Sequence, residues 1–159
     1  MKSEELFATV AVNSWKLVIG RLDELLSSVS DDFLQTKVAP GRNRISYLIG
    51  HLTVVHDRML PMLRLGERLH PEFDAVFLEN PDGHAVDEIS PVELRKAWAD
   101  VNGKLTAAME ALRPEQWLER HTSVSEEDFE KDPSRNRLAV LLNRTNHASF
   151  HMGQIRLTQ

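Results

Sequence analysis

The 159-residue sequence predicts an all-α protein, an antiparallel four-helix bundle that forms a single domain over residues 1–159. Three observations carry that expectation. Four segments place apolar residues at helical spacing, capping residues or Pro and Gly separate them, and no strand-like alternation or repeat competes. Such a bundle buries one apolar stripe per helix and can carry metal sites in the core between facing helices.

The first segment runs from about Ser3 to Val29, with Ala8, Ala11, Val12, Trp15, Val18, Ile19, Leu22, Leu25 and Leu26 recurring on one face. Gly20 is its weak point, at ~1 kcal/mol relative to Ala if exposed. Ser30-Asp31-Asp32-Phe33 reads as a cap and a short turn, and Pro40-Gly41 closes the connection. A second helix is expected from about Arg44 to Leu65, with Ile45, Leu48, Leu52, Val55, Met59 and Met62 on one face. Pro61 should kink it or tighten its last turn. Residues 66–89, with Pro71 and Pro81-Asp82-Gly83, read as a loop holding one short helical piece.

The third helix has the clearest start. Ser90-Pro91-Val92-Glu93 puts Ser at the N-cap, Pro at the first helical position and Glu at the third. Leu94, Trp98, Val101, Leu105, Ala108 and Leu112 follow, and Pro114 stops the helix. Residues 114–134 read as a solvated loop, since the acidic stretch Glu126-Glu127-Asp128 lacks the spacing of a calcium loop. Ser134 is the expected cap of a last helix that ends near Leu157, with Leu138, Leu141, Thr145, Ala148, Met152 and Ile155 as its stripe.

Composition narrows the function. A formal net charge of −5 argues against nucleic acid or an anionic membrane as the main partner. There is no Cys, hence no disulfide, thiolate metal site or thiol nucleophile, which fits a cytoplasmic location. The first residues lack the apolar stretch of a signal peptide, and no run approaches the ~20 apolar residues of a membrane span.

The most informative residues are His147 and His151 in Asn146-His-Ala-Ser-Phe-His-Met-Gly-Gln-Ile155. Four residues apart on a helix, two imidazoles sit one turn above each other and can grip one ion. A helical zinc protease carries Glu directly after the first His, and position 148 here is Ala, which argues against that class. Spacing alone is equally consistent with two surface histidines, and catalytic zinc sites usually supply three protein ligands. His70, His84 and His121 fall in expected loops, where an exposed His is the ordinary outcome. His51 and His56 lie on the second helix, about 140° apart, each on a flank of the apolar stripe. Periodicity does not choose between them.

Leu48-Ile49-Gly50-His51-Leu52 on the second helix, together with His147-x3-His151-Met152-Gly153-Gln154-Ile155 on the last, resembles the DinB-like family of bacterial metalloproteins. The resemblance spans nearly the whole chain in length and helix order, and the Gly-Gln after the second His is its strongest part. It implies a metal site between helices two and four, with His51, His147 and His151 as ligands and His56 as a helix-flank residue. It further implies a divalent ion, Zn or Ni first, and thiol-dependent S-transferase chemistry with a low-molecular-weight thiol as cosubstrate. A small-molecule substrate and a homodimer belong to the same expectation. Metal-dependent hydrolysis and a non-catalytic metal or small-ligand binding module are the alternatives.

Asn143 and Gln154 fall on the same side of the last helix as the pair, where they can orient ligands or bound water. Solvent-facing amides are the plainer alternative. No residue stands out as a general base, and Asp57 and Glu110 are the carboxylates within reach.

Overall fold

Seven α-helices and two 3-10 turns make up the structure, a computed structural model that describes residues 2–158. The long ones are α1 (Ser3–Ser28), α3 (Ile45–Met62), α5 (Pro91–Glu110) and α7 (Arg137–Arg156). The short ones are α2 (Asp31–Leu34), α4 (Asp74–Phe77) and α6 (Glu126–Lys131). No strand occurs among the described residues, and no helix is long and apolar enough to cross a membrane.

The long helices pack in a ring, because each offers a stripe that only a neighbour can cover. α1 lies against α5 and α7, and α3 lies against the same two. Two tryptophans pin α1 to α5 by their polar edges. The Trp15 indole N–H donates to Thr106 Oγ1 at 3.1 Å, and that of Trp98 to Asp23 Oδ1 at 2.7 Å. Both rings are buried, so each gains apolar contact without leaving its N–H unpaired.

α3 is the element the others wrap. Its buried positions run almost continuously from Ile45 to Leu60, with the 3-10 turn Pro71–Phe73 and α4 covering the side that the long helices leave open. Pro61 sits in its last turn, and the helix ends at Met62 rather than near Leu65. The amide of Arg64 returns to the Pro61 carbonyl at 3.1 Å, an i→i+3 bond that tightens the end of the helix.

The caps explain most boundaries. Ser30 accepts from the Phe33 amide to start α2, and Ser90 and Glu93 form the expected reciprocal box on α5. Two expectations are corrected. Residues 114–134 are not a plain loop: the 3-10 turn Pro114–Leu118 buries Trp117, and Ser125 caps α6 by accepting from the Asp128 amide at 3.1 Å. Ser134 does not cap α7. Its hydroxyl and amide both turn back to Asp132 Oδ1, and Asn136 accepts from the Ala139 amide at 3.0 Å instead.

Candidate metal centre

Arg144, His147 and His151 follow one another at i, i+3 and i+7 along α7, so one stripe of the helix carries all three. His51 faces the two histidines of that stripe from α3. The ring centroids of His51 lie 5.2 Å from His147 and 5.5 Å from His151, and those of His147 and His151 are 4.7 Å apart. One ligand nitrogen from each ring lies within 4.8 Å of the other two, a group that can hold a metal ion.

Two of the rings are oriented from behind. His51 Nδ1 donates to the Phe77 carbonyl at 3.2 Å, and His151 Nδ1 donates to Gln154 Oε1 at 2.7 Å. A ring whose Nδ1 carries the hydrogen presents a bare Nε2, the atom that coordinates. His147 and His151 bring their Nε2 atoms to 3.0 Å of each other. Two nitrogens each ~2.0–2.1 Å from a shared ion lie about 3–3.4 Å apart for octahedral to tetrahedral angles. The His147–His151 pair already stands at the separation that two ligands of one ion need, and His51 offers a third nitrogen within 4.8 Å of both.

The Phe77 carbonyl is free for His51 because Phe77 ends α4, where the last carbonyls have no partner within the helix. Gly50 determines how closely that end can approach. A Cβ at Gly50 would lie 2.3 Å from the Phe77 ring, so the ring occupies the space any other residue would fill. The sequence motif therefore pairs a glycine that admits Phe77 with the histidine that Phe77 orients.

The electrostatics keep these imidazoles neutral. Burial lowers the pKa of His147 to about 4, with further depression by the charges of His151, His51 and Arg144. Burial is also the main cause of the lowered pKa of His51 and of His151. Protons therefore compete weakly for these nitrogens at neutral pH.

His56 is corrected. It is not a flank residue but fully buried, with its ring packed 4.7 Å from Trp15 and 5.7 Å from Trp98. Asn102 donates its amide to the Trp98 carbonyl, which turns Oδ1 toward His56 Nδ1 at 2.8 Å. His56 is thus the Nδ1–H tautomer. Burial, set against that hydrogen bond, pushes its pKa down to about 3. Its Nε2, like His147 Nδ1, is buried without a hydrogen-bond partner among the described residues.

Neither expected carboxylate joins the group formed by the three histidines. Asp57 is fully buried and accepts from the amides of Leu69 and His70 and from Arg68 Nε. It anchors the chain after α3, where Arg68 also pairs with Asp74 at 2.6 Å. Glu110 is exposed and paired with Lys16 at 2.5 Å. Asn143 is exposed, whereas Gln154 holds His151 as described. His84 is exposed as expected, but His70 and His121 are half-buried against local partners. A cavity of about 500 Å³ opens beside Tyr47, Phe77 and Asp82, and none of the three clustered histidines lines it.

The profile of the DinB superfamily matches residues 14–155, a span that contains all three clustered histidines. The chain belongs to the DinB superfamily. Among solved structures, this DinB-superfamily protein resembles a conserved protein of Enterococcus faecalis, with a TM-score of 0.63 and 19% identity. That alignment covers 99% of this chain and 97% of the other, and at such identity it speaks for the fold alone. Comparison with curated proteins returns no match.

Sequence reasoning missed three parts of this DinB-superfamily site. The Phe77 carbonyl is backbone and leaves no side-chain signature. His56 and Asn102 come from different helices, and no local pattern links them. Arg144 lies at i−3 from His147, but nothing in the sequence shows what surrounds it.

Proposed function

We propose that this protein is a metal-dependent enzyme that transfers a small thiol to an electrophilic substrate. In this reading the four long helices act as an antiparallel four-helix bundle, with a divalent ion held between α3 and α7 by His51, His147 and His151. The observation that carries it is the convergence of three neutral imidazoles, two of them oriented by acceptors at Phe77 and Gln154. Zn or Ni suits an all-imidazole set.

A divalent ion so held lowers the pKa of a thiol or water and acts as a Lewis acid. The chain's own residues divide the remaining work. His51, His147 and His151 approach from two helices only and supply three ligands, the number at which catalytic sites keep a position open. Gln154 and the Phe77 carbonyl keep two of the rings in the coordinating tautomer. Asp57 is held by the loop after α3 and neither Asp57 nor Glu110 joins the histidine group, which favours a nucleophile that needs no protein base over base-assisted hydrolysis. With no Cys in the chain, the thiol arrives on a cosubstrate. In the reaction its sulfur bonds to the electrophilic carbon, the leaving group departs with the bonding pair, and the thiol proton passes to solvent.

Leu6, Val10 and Leu17 on α1 and Phe150 on α7 are exposed apolar side chains on two helices that pack together, which supports a homodimer.

The test is metal analysis of untagged protein, followed by conjugation of a thiol to a chromogenic aryl halide with and without added Zn or Ni. Turnover should require thiol and metal together and disappear in His147→Ala and His151→Ala while the helical circular dichroism persists. Metal bound without turnover against a panel of thiols would leave a binding module. Turnover of ester substrates without thiol would make the protein a hydrolase.

A further inference from the structure

Six arginines of the described chain are not exposed, and five of them face an acid. Arg44 pairs with Asp82, Arg68 with Asp57 and Asp74, Arg95 with Asp31, Arg120 with Glu126, and Arg137 with Glu119. Arg144 is the exception. It is half-buried, yet among the described residues it has neither an acidic partner nor a hydrogen bond. A guanidinium stays charged at any ordinary pH, and removing it from water without an anion is unfavourable.

Its position gives that charge a use. Arg144 lies one turn before His147 on the stripe that carries both α7 histidines. Its field reaches across to α3, since after burial itself Arg144 is among the charges that depress His51 as well as His147. An ion on the three imidazoles would add positive charge to a corner that holds an unpaired cation already. Neither Asp57 nor Glu110 is free to offset it. Arg144 keeps contact with water, so a bound ligand can reach its guanidinium and supply the negative charge that the chain does not.

We propose that Arg144 is the anion-recognising residue of the centre and that the cosubstrate is a small thiol bearing a carboxylate. The carboxylate sits on the guanidinium while the sulfur end reaches the three-histidine site. The planar fork of Arg matches a carboxylate with two parallel N–H donors. One unpaired guanidinium balances one negative charge, which a carboxylate carries. This inference rests on the metal-centre and thiol reading above and adds the chemical class of the thiol.

The experiment uses full-length protein loaded with Co²⁺ and follows the sulfur-to-cobalt charge-transfer band. Two thiols of equal reach are titrated, 3-mercaptopropionate and 3-mercapto-1-propanol. The carboxylate thiol should bind about tenfold tighter or more, the size of one charge-assisted contact. Arg144→Gln should abolish that preference while Co²⁺ binds at least as tightly as to the wild type and helical content is unchanged. Arg144→Lys, which keeps the charge but not the fork, should retain part of it.

Equal binding of the two thiols by the wild type, or a preference that survives in Arg144→Gln, overturns the role of Arg144 and leaves the metal reading standing. If Co²⁺ binds but neither thiol changes the spectrum, the thiol reading fails and this inference falls with it. If Co²⁺ does not bind, both fall with the metal centre itself.

Discussion

Gln154 Oε1 accepts the Nδ1 hydrogen of His151 at 2.7 Å from three residues further along the same helix. The bond fixes both the tautomer and the tilt of the ring, so Gln154 is part of the proposed metal centre without touching the ion. Losing such a partner typically costs ~10–100-fold in metal affinity. Gln154→Leu is therefore expected to weaken Zn binding by at least about tenfold in competition with a chromophoric chelator. Gln154→Glu keeps an acceptor at the same place and should bind at least as tightly as the wild type. Equal affinity in Gln154→Leu and wild type would show that the ring needs no such support.

His51 and His56, five residues apart on α3, should fail in different measurements. His51→Ala removes a proposed ligand from a half-buried position, so metal affinity should fall sharply while the unfolding midpoint of the metal-free protein changes little. His56→Ala opens a cavity against Trp15 and Trp98 and strands Asn102 Oδ1. A loss of about 2–4 kcal/mol is expected, measured by urea denaturation of metal-free protein. If the stability loss follows His51 and the affinity loss follows His56, the two roles are reversed.

That contrast marks where the sequence was legible. Periodicity located the four long helices because each buries a stripe several turns long, and the Ser90–Glu93 box gave the start of α5 directly. The His147-x3-His151 spacing already placed two imidazoles on one face, and the Gly-Gln-Ile stretch pointed to the family. Periodicity could not rank His51 against His56, because it assumes one wet side to the helix and α3 is enclosed on nearly all sides. The short elements were legible only in part: one helical piece was expected within residues 66–89 without its bounds, and α6 was read as loop. α4 and the turns beside it are held by single buried residues such as Phe73, Phe77 and Trp117, and their partners lie far away in sequence. Arg144 is not among the residues that the sequence singles out, because that it lacks an acid depends on every element packed around it.

Gly50→Ala tests how the backbone serves the site. The added methyl would fall 2.3 Å from the Phe77 ring, which has to shift and takes with it the carbonyl that orients His51. Overpacking of this kind costs about 1–3 kcal/mol. Metal affinity should fall along with thermal stability. Gly20→Ala is the control, since nothing lies within 4 Å of its Cβ position. It should stabilise α1 by about 0.5–1 kcal/mol through helix propensity alone and leave metal binding untouched. A Gly50→Ala protein with wild-type affinity would mean that Phe77 does not position His51.

Stability of the metal-free protein should fall as the solution is acidified below pH 6.5, before most carboxylates titrate. Burial lowers His56 to about 3 and His147 to about 4, against an ordinary value of 6.5. Between 6.5 and those values the unfolded chain takes up protons that the folded chain refuses. The stabilisation is therefore complete above pH 6.5 and is lost as pH falls through the window. A fully buried group contributes at most about 1.4 kcal/mol per pH unit, and His147 contributes less because its ring is partly open to water. Urea midpoints measured from pH 7 to pH 5 should decline in the wild type and decline less steeply in His56→Gln, whose side chain does not titrate. The comparison is between slopes, so a general loss of stability in the variant does not affect it. Parallel slopes would show that His56 is as readily protonated inside the fold as outside it, against its place between two tryptophans.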